Sequence, residues 1–499
     1  MTRNPGETIF LAAVLAVLAG LCFFVLPPGL SSSEEAVQAV QMKNFALHGS
    51  GEIRPPAFAL GFEAADFAGH RGFFDVRNGG LYATPPPLYP WVASLLVPAF
   101  GERTARFTPI LFVFLAALVL GLLMDRVMKR GVLYWLLLSL FLIGSPVFLQ
   151  GLLFSGMALA LFLVTSALWL LAGHFSGNPA AARLFGASVL MGLSGIARAE
   201  CLLMACSFWI STALVLVLQR RLSEVRTVLA GCAVSLTAFV FHDVVFHGRF
   251  PGPYLQFYLP FYALSPIRLA VLGGVLSLSL GLLIVSMRDE AIRPARRAAL
   301  STLAVILPFG AVLVTAARIS VSHLMAFFPA VLFVFYGVPR RLERWKNGEG
   351  VLELILTAAV VVSLVIGASI LRPGPQVVLS VWLPMIPFVV VLLALERRTL
   401  FAAPGMAVVL AFFCGVAFVN GIQEAKEHIL NYRAYTAAYI AFLEKHTSKG
   451  DVVLVEDAGH MLYAGPLFFD RVFLVARNPD EQGRLLCRLR NRPVTRIYA

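Results

Sequence analysis

Two adjacent acids, Glu34 and Glu35, follow three serines, Ser31-Ser32-Ser33, just after the first long apolar run of this 499-residue chain. A carboxylate fixed in place can take a proton from a hydroxyl, and so serve as the general base of a group transfer. The same residues also have a purely structural reading. Serine caps a helix N-terminus, and acids in the first turn complement the helix dipole. The two readings are compatible, because a capped helix start fixes a carboxylate at a membrane surface. Ala36-Val37-Gln38-Ala39-Val40-Gln41-Met42 then reads as an amphipathic helix lying at the interface.

The rest of this hydrophilic stretch, 27–106, carries Asp66, Asp75, Glu63, His70 and His48. They show no HExxH or comparable metal spacing, and a solvated loop ordinarily contains such residues. Arg198 sits where two apolar runs turn back, with Glu200 beside it. A guanidinium fork suits a lipid phosphate, while snorkelling or a local pair with Glu200 explains it equally well. His242-Asp243 and His247-Gly248-Arg249 end another apolar run, and Arg318 with His323 brackets a further turn. Ionisable groups at a membrane boundary are functional candidates and also common interface anchors. The aromatic stretch 253–262 reads as an interfacial belt in preference to a sugar platform.

What must position these groups is a membrane protein. The chain is 59% hydrophobic and only 13% charged, with a mean hydropathy of +0.83. Soluble domains carry about a quarter charged residues. Uncharged apolar runs of about 18 residues recur, each long enough to cross a hydrocarbon core of roughly 30 Å. They predict about 13 spans, at 10–26, 107–124, 132–145, 152–172, 184–196, 201–218, 228–246, 267–285, 300–316, 324–337, 351–371, 377–395 and 404–421. The fold class is therefore an all-α polytopic membrane protein with a large first loop.

The formal net charge of +13 does not point to nucleic acid. Its basic residues cluster at Arg126/Lys129/Arg130, Arg220/Arg221/Arg226, Arg288/Arg293/Arg296/Arg297, Arg340/Arg341/Arg344/Lys346 and Arg397/Arg398, which alternate onto one side. The positive-inside rule makes that side cytoplasmic, with the first loop and the tail both outside. The first run, preceded by Arg3 and lacking a clear cleavage site, reads as a signal anchor. Five of six cysteines fall in apolar runs and none has CxxC spacing, so no zinc site or disulfide framework is expected.

Composition changes at 422, which divides the chain into a transmembrane domain, 1–421, and a small outward domain, 422–499. In the tail, 423–446 has helical periodicity, 451–456, 471–475 and 495–498 read as strands, and 480–491 as a helix. That is a small α/β unit. It has no glycine-rich phosphate loop, so docking or structural roles fit it better than catalysis.

Taken together, these residues resemble the C-type (GT-C) membrane glycosyltransferase superfamily, in its protein O-mannosyltransferase and aminoarabinose transferase-like branch. The pattern is the acidic pair Glu34-Glu35-Ala36, a helix ending at Leu47-His48-Gly49-Ser50, and Tyr82-Ala83-Thr84-Pro85-Pro86-Pro87-Leu88-Tyr89, which looks like the family's tyrosine and double-proline turn. Pro98-Ala99-Phe100-Gly101 and Ala105-Arg106 follow. Gly192-Leu193-Ser194-Gly195-Ile196-Ala197-Arg198-Ala199-Glu200 is similar to the family's glycine-leucine…arginine-proline-glutamate turn, with Ala199 in place of proline. Lys449-Gly450-Asp451-Val452-Val453-Leu454 resembles the outward C-terminal domain of some members. Where many members carry an acid near the start of the fourth span, this chain reads Phe154-Ser155-Gly156-Met157.

The resemblance implies transfer of a sugar from a polyprenyl-phosphate-linked donor to a glycan, lipid or protein acceptor on the outer face of a bacterial inner membrane. By motif position Glu34 or Glu35 is the base, and Arg198, Arg249 and Arg318 are the donor-phosphate candidates. Asp75, Tyr82, Pro86 and Tyr89 form the expected substrate loop. No cofactor is implied; family members differ over a divalent metal, which the residues here do not indicate. Two other classes remain open: a transporter or flippase of lipid-linked saccharide, and a non-catalytic envelope-assembly protein of the same fold. A transporter places ionisable groups near the bilayer midplane. Here they lie at the boundary.

Overall fold

A computed structural model describes residues 29–64, 73–142, 145–176, 179–248, 337–347, 349–368, 383–397, 425–490 and 496–498, with scattered positions elsewhere. The first loop begins with helix α1, Ser33–His48. Ser32, in extended conformation, accepts a hydrogen bond from the Glu35 amide at 3.2 Å, and Gly49 ends the helix at φ 63°. This is the serine cap with a left-handed glycine stop that such sequences favour.

The sequence expectations include no strand in this loop; the structure has three. β1 (Glu52–Ile53), β2 (Phe74–Arg77) and β3 (Gly80–Ala83) form an antiparallel sheet in the order β1-β3-β2. Arg77 pairs with Gly80 across the two-residue turn Asn78-Gly79, both at positive φ. Asn-Gly is the preferred pair for that hairpin, so the signal was legible. After the buried Pro85-Pro86-Pro87 segment comes the short helix α2, Leu88–Ser94.

Among the described residues four helices are long and apolar enough to cross a membrane: α3 (Thr104–Val127), α4 (Gly156–Phe175), α5 (Glu200–Leu218) and α6 (Leu222–His247). Shorter apolar helices include Val132–Leu142, α7 (Ala181–Ala197), Val351–Ala368 and Ile386–Leu395. The protein is mostly helical. The expected spans at 10–26, 267–285, 300–316, 324–337 and 404–421 lie outside the described residues, apart from scattered positions and Gly337.

Small residues let these helices approach. A Cβ on Gly192 would lie 2.2 Å from Ser235 Cβ, and one on Gly231 would lie 2.5 Å from Ser188 Cβ. Ser188 and Gly192 of α7 thus interlock with Gly231 and Ser235 of α6. Without a hydrophobic drive between helices in lipid, such close backbone packing does the work of association. Trp209 of α5 seals the contact, its indole N–H donating to the Ser188 carbonyl at 3.2 Å.

The helix ends sort into two sets. At one end Arg126 donates to the Trp169 carbonyl, Arg183 to Gly173, and His174 meets Glu224 at 3.0 Å. Nearby on that set of ends, the fully buried Arg341 pairs with Glu396 at 2.9 Å and donates to Thr357. At the other end stand the first loop, the turn at Arg198 and the tail.

The tail contains helix α8 (Asn431–His446), strands β4 (Val452–Val455), β5 (Val472–Val475) and β6 (Ile497–Tyr498), and helix Pro479–Leu489. The strands are parallel in the order β5-β4-β6. First loop and tail share one apolar core: Ala36, Val37 and Val40 of α1, with Phe74 and Leu81 of the first sheet, cluster with Leu443, Val452, Met461 and Phe468.

Candidate active site

The N-terminus of α1 holds the acidic pair, and the two carboxylates have opposite surroundings. Glu35 is buried, its side chain 3% exposed. One carboxylate oxygen accepts from the Phe154 amide, just before α4, and the other from the Ser31 amide. Arg433 of α8 lies 3.7 Å away and donates to the Leu152 carbonyl and to Ser31 Oγ. A buried carboxylate must be paired and hydrogen-bonded, and every partner here is backbone or a fixed cation. Glu35 thereby joins three segments: the start of α1, the turn before α4, and the tail.

Glu34 is a third exposed, with a side chain 32% accessible. The Arg198 guanidinium grips it with both outer nitrogens, Nη1 on Oε1 and Nη2 on Oε2, the latter at 3.3 Å. Gln38, one turn on, donates to Glu34 Oε1 at 3.1 Å. Arg198 Nε stands 2.9 Å from Oε2 of Glu200, whose side chain is 2% exposed. One guanidinium therefore bridges an accessible carboxylate and a sealed one.

Local sequence explains the placement of Arg198. It ends α7 in extended conformation and Ala199 precedes α5, so the guanidinium projects from a tight helix-to-helix turn. Gly156 opens α4 directly against that turn: a Cβ there would lie 2.3 Å from the Ala197 carbonyl. Glycine at 156 is thus a packing requirement of the Arg198 turn.

Tyr89, the tyrosine of α2, is completely buried, with its ring 4.9 Å from that of Phe154. Its hydroxyl finds no hydrogen-bond partner among the described residues. Burial, and then the charge of Glu35, push this phenol well above its ordinary value, so it stays protonated. Pro86 is buried in the segment whose neighbour Pro85 accepts from Gln41 at 3.2 Å.

Asp75 and Tyr82 face each other across β2 and β3. They gather at the end of α6: Arg77 bridges Asp75 and the His247 carbonyl, and the Tyr82 ring lies 6.4 Å from that of His247. In the same place His242 and Asp243 are buried neighbours 3.4 Å apart, and Asp243 accepts from the Gly252 amide. Glu63 is exposed and His48 closes α1. Arg249, Arg318, His323, Asp66 and His70 lie outside the described residues.

The structure therefore brings Glu34, Glu35, Arg198 and Tyr89 to one place. It adds Gln38 and Arg433, which the sequence reasoning did not pick. Gln38 was within reach of a sequence argument, since glutamine four residues after an acid pairs with it on a helix. Arg433 had no local signal. Among the described residues no group of three His, Cys, Asp or Glu side chains is placed to hold a metal ion. The carboxylates at this site face guanidinium and amide donors.

These features define a polytopic membrane protein with a carboxylate–guanidinium site at one end of its helical bundle. No family model matches the sequence, and no curated protein does. Solved structures do match. The apo oligosaccharyltransferase of Archaeoglobus fulgidus aligns with 96% of this chain and 66% of its own, at 13% identity and a TM-score of 0.53. The same enzyme, AglB, with an inhibitory peptide and a dolichol-phosphate covers 96% and 65%, at 14% and 0.51. ArnT from Cupriavidus metallidurans, bound to undecaprenyl phosphate, covers 99% and 90%, at 15% and 0.43. This chain thus spans slightly under two thirds of the length of the archaeal enzyme. It shares the fold of the archaeal oligosaccharyltransferase.

Proposed function

We propose that this protein is a glycosyltransferase that moves a sugar from a polyprenyl-phosphate-linked donor to a lipid, polysaccharide or protein acceptor at the outer face of a bacterial inner membrane. In this reading 1–421 is the membrane domain with about 13 spans, and 422–499 is an outward domain. Glu34 is the base. It takes the proton of the acceptor hydroxyl as that oxygen bonds to the anomeric carbon, and the bond from that carbon to the phosphate oxygen breaks. The polyprenyl phosphate leaves with the electron pair, and Arg198 stabilises the charge that develops on it. Glu35 holds the helix that presents Glu34.

The observation that carries this reading is the pairing of an accessible Glu34 with an arginine fixed from behind by buried Glu200. A base and a phosphate-binding cation stand side by side, as the reaction requires. The neighbour with bound dolichol-phosphate supports the class of donor. The transporter reading is disfavoured: in the four long helices the acids, bases and histidines fall within the first or last two turns.

Glycan mass spectrometry of the cell envelope tests the proposal. A deletion strain carries wild type, Glu34→Ala or Arg198→Ala at matched expression. Loss of a hexose- or pentose-sized mass from one envelope component with either variant supports a transferase and identifies the acceptor. A wild-type profile from Glu34→Ala sinks it.

A further inference from the structure

Arg198 makes two ion pairs of unequal kind. Its inner partner, Glu200, is sealed from solvent, so the pair cannot be exchanged without opening the protein. Its outer partner, Glu34, is a third exposed. That outer contact uses Nη1 and Nη2, while Nε serves Glu200. The two outer nitrogens are the fork with which arginine takes a phosphate bidentately. While Glu34 occupies them, a phosphate cannot.

Resting on the assignment of Glu34 as base and Arg198 as phosphate ligand, we propose that the Glu34–Arg198 pair is an exchangeable latch. The phosphate of the lipid-linked donor displaces Glu34 from the outer fork and so frees the base only when donor is bound. Glu200 keeps the guanidinium in place through the exchange. Gln38 retains Glu34 on its own helix face, so the released carboxylate stays at the site. The exchange also changes what Glu34 can do. A guanidinium partner favours the ionised carboxylate and makes it a poor proton acceptor; a nearby anion does the reverse. Without donor, the base is therefore held inactive.

The latch also resets itself. Transfer leaves Glu34 protonated and Arg198 on a polyprenyl phosphate that carries more charge than the donor diester. A neutral Glu34 does not compete for the fork. Loss of its proton to water restores the competitor and helps expel the product.

The test is binding of undecaprenyl phosphate to the full-length protein in lipid nanodiscs, for wild type, Glu34→Gln, Arg198→Lys and the double variant. Lysine keeps a cation beside Glu200, which protects the fold, but lacks the fork. The latch predicts that Glu34→Gln binds roughly 2–5-fold more tightly, the strength of a partly exposed ion pair. It also predicts that Arg198→Lys binds more weakly, and that in the Arg198→Lys background Glu34→Gln adds no gain. If Glu34→Gln binds no more tightly than wild type, the latch is wrong. If the gain survives in the Arg198→Lys background, simple removal of negative charge explains it, and the latch is equally wrong. Either failure leaves the transferase reading intact as long as Glu34→Gln abolishes the envelope glycan; a wild-type glycan from Glu34→Gln overturns that reading instead.

Discussion

Arg433 of the tail helix lies 3.7 Å from the carboxylate of Glu35, with both side chains 3% exposed. The tail is therefore tied into the start of the acidic helix by a buried ion pair. Leu30 strengthens the tie, exchanging hydrogen bonds with Thr436 through both its amide and its carbonyl. Gly29 lies so close to α8 that a Cβ there would meet Thr436 Oγ1 at 2.0 Å.

Breaking this tie has a large expected cost. Arg433→Ala leaves a buried carboxylate facing an empty space, which typically destabilises by about 3–5 kcal/mol. A clear drop in the thermal midpoint of the detergent-solubilised protein is expected. Arg433→Lys keeps the charge and should recover part of that drop. An unchanged midpoint for Arg433→Ala would show that the tail is not held through Glu35.

The acidic pair should separate by assay. Glu34→Gln is expected to cut transfer by about 10²–10⁴-fold, the usual contribution of a general base, with little change in melting. Glu35→Ala strands the Phe154 and Ser31 amides and Arg433, each unmet buried group costing about 1–3 kcal/mol, so melting falls first. Equal effects on both readouts from the two variants would remove the division of roles.

Gly156 should tolerate no side chain. Gly156→Leu drives carbon into the Ala197 carbonyl and displaces the Arg198 turn, so weaker binding of undecaprenyl phosphate is expected together with lower stability. Gly49→Ala is the contrast. Nothing lies within 4 Å of its added carbon, and only the left-handed backbone opposes it, at about 1–2 kcal/mol. Its binding should stay at the wild-type level.

Two tyrosines set a stability limit at alkaline pH. Burial pushes Tyr439 up to about 12 and Tyr89 well above its ordinary value, whereas an unfolded tyrosine titrates near about 10. The folded state therefore holds these protons more firmly. Their contribution is fully present below about pH 10 and is lost as pH rises past it. Melting measured from pH 8 to 11 should fall at the alkaline end, and less steeply in Tyr89→Phe. At neutral pH Tyr89→Phe should be neutral or stabilising, because it removes a buried hydroxyl that lacks a partner. An identical alkaline slope in that variant would contradict the assignment.

Much of this was readable along the chain. The spans expected at 107–124, 201–218 and 228–246 fall inside α3, α5 and α6, since hydropathy over some 20 residues is a local property. Ser32 before two acids, and Gly49 after His48, marked both ends of α1 because capping involves only neighbours. Arg198 was legible as a cation at a helix turn, with Glu200 beside it.

The sequence by itself determined a membrane protein, a capped acidic helix and the turn that carries Arg198; that helix is buried along most of its length and does not lie at an interface as expected. Tertiary structure alone decided that Glu35 is sealed while Glu34 is accessible, that Arg198 grips Glu34, and that Arg433 reaches back from the tail. Adjacent glutamates are chemically identical as letters. Burial and pairing depend on which distant segments pack over each one, and packing is a property of the whole chain that no local pattern contains.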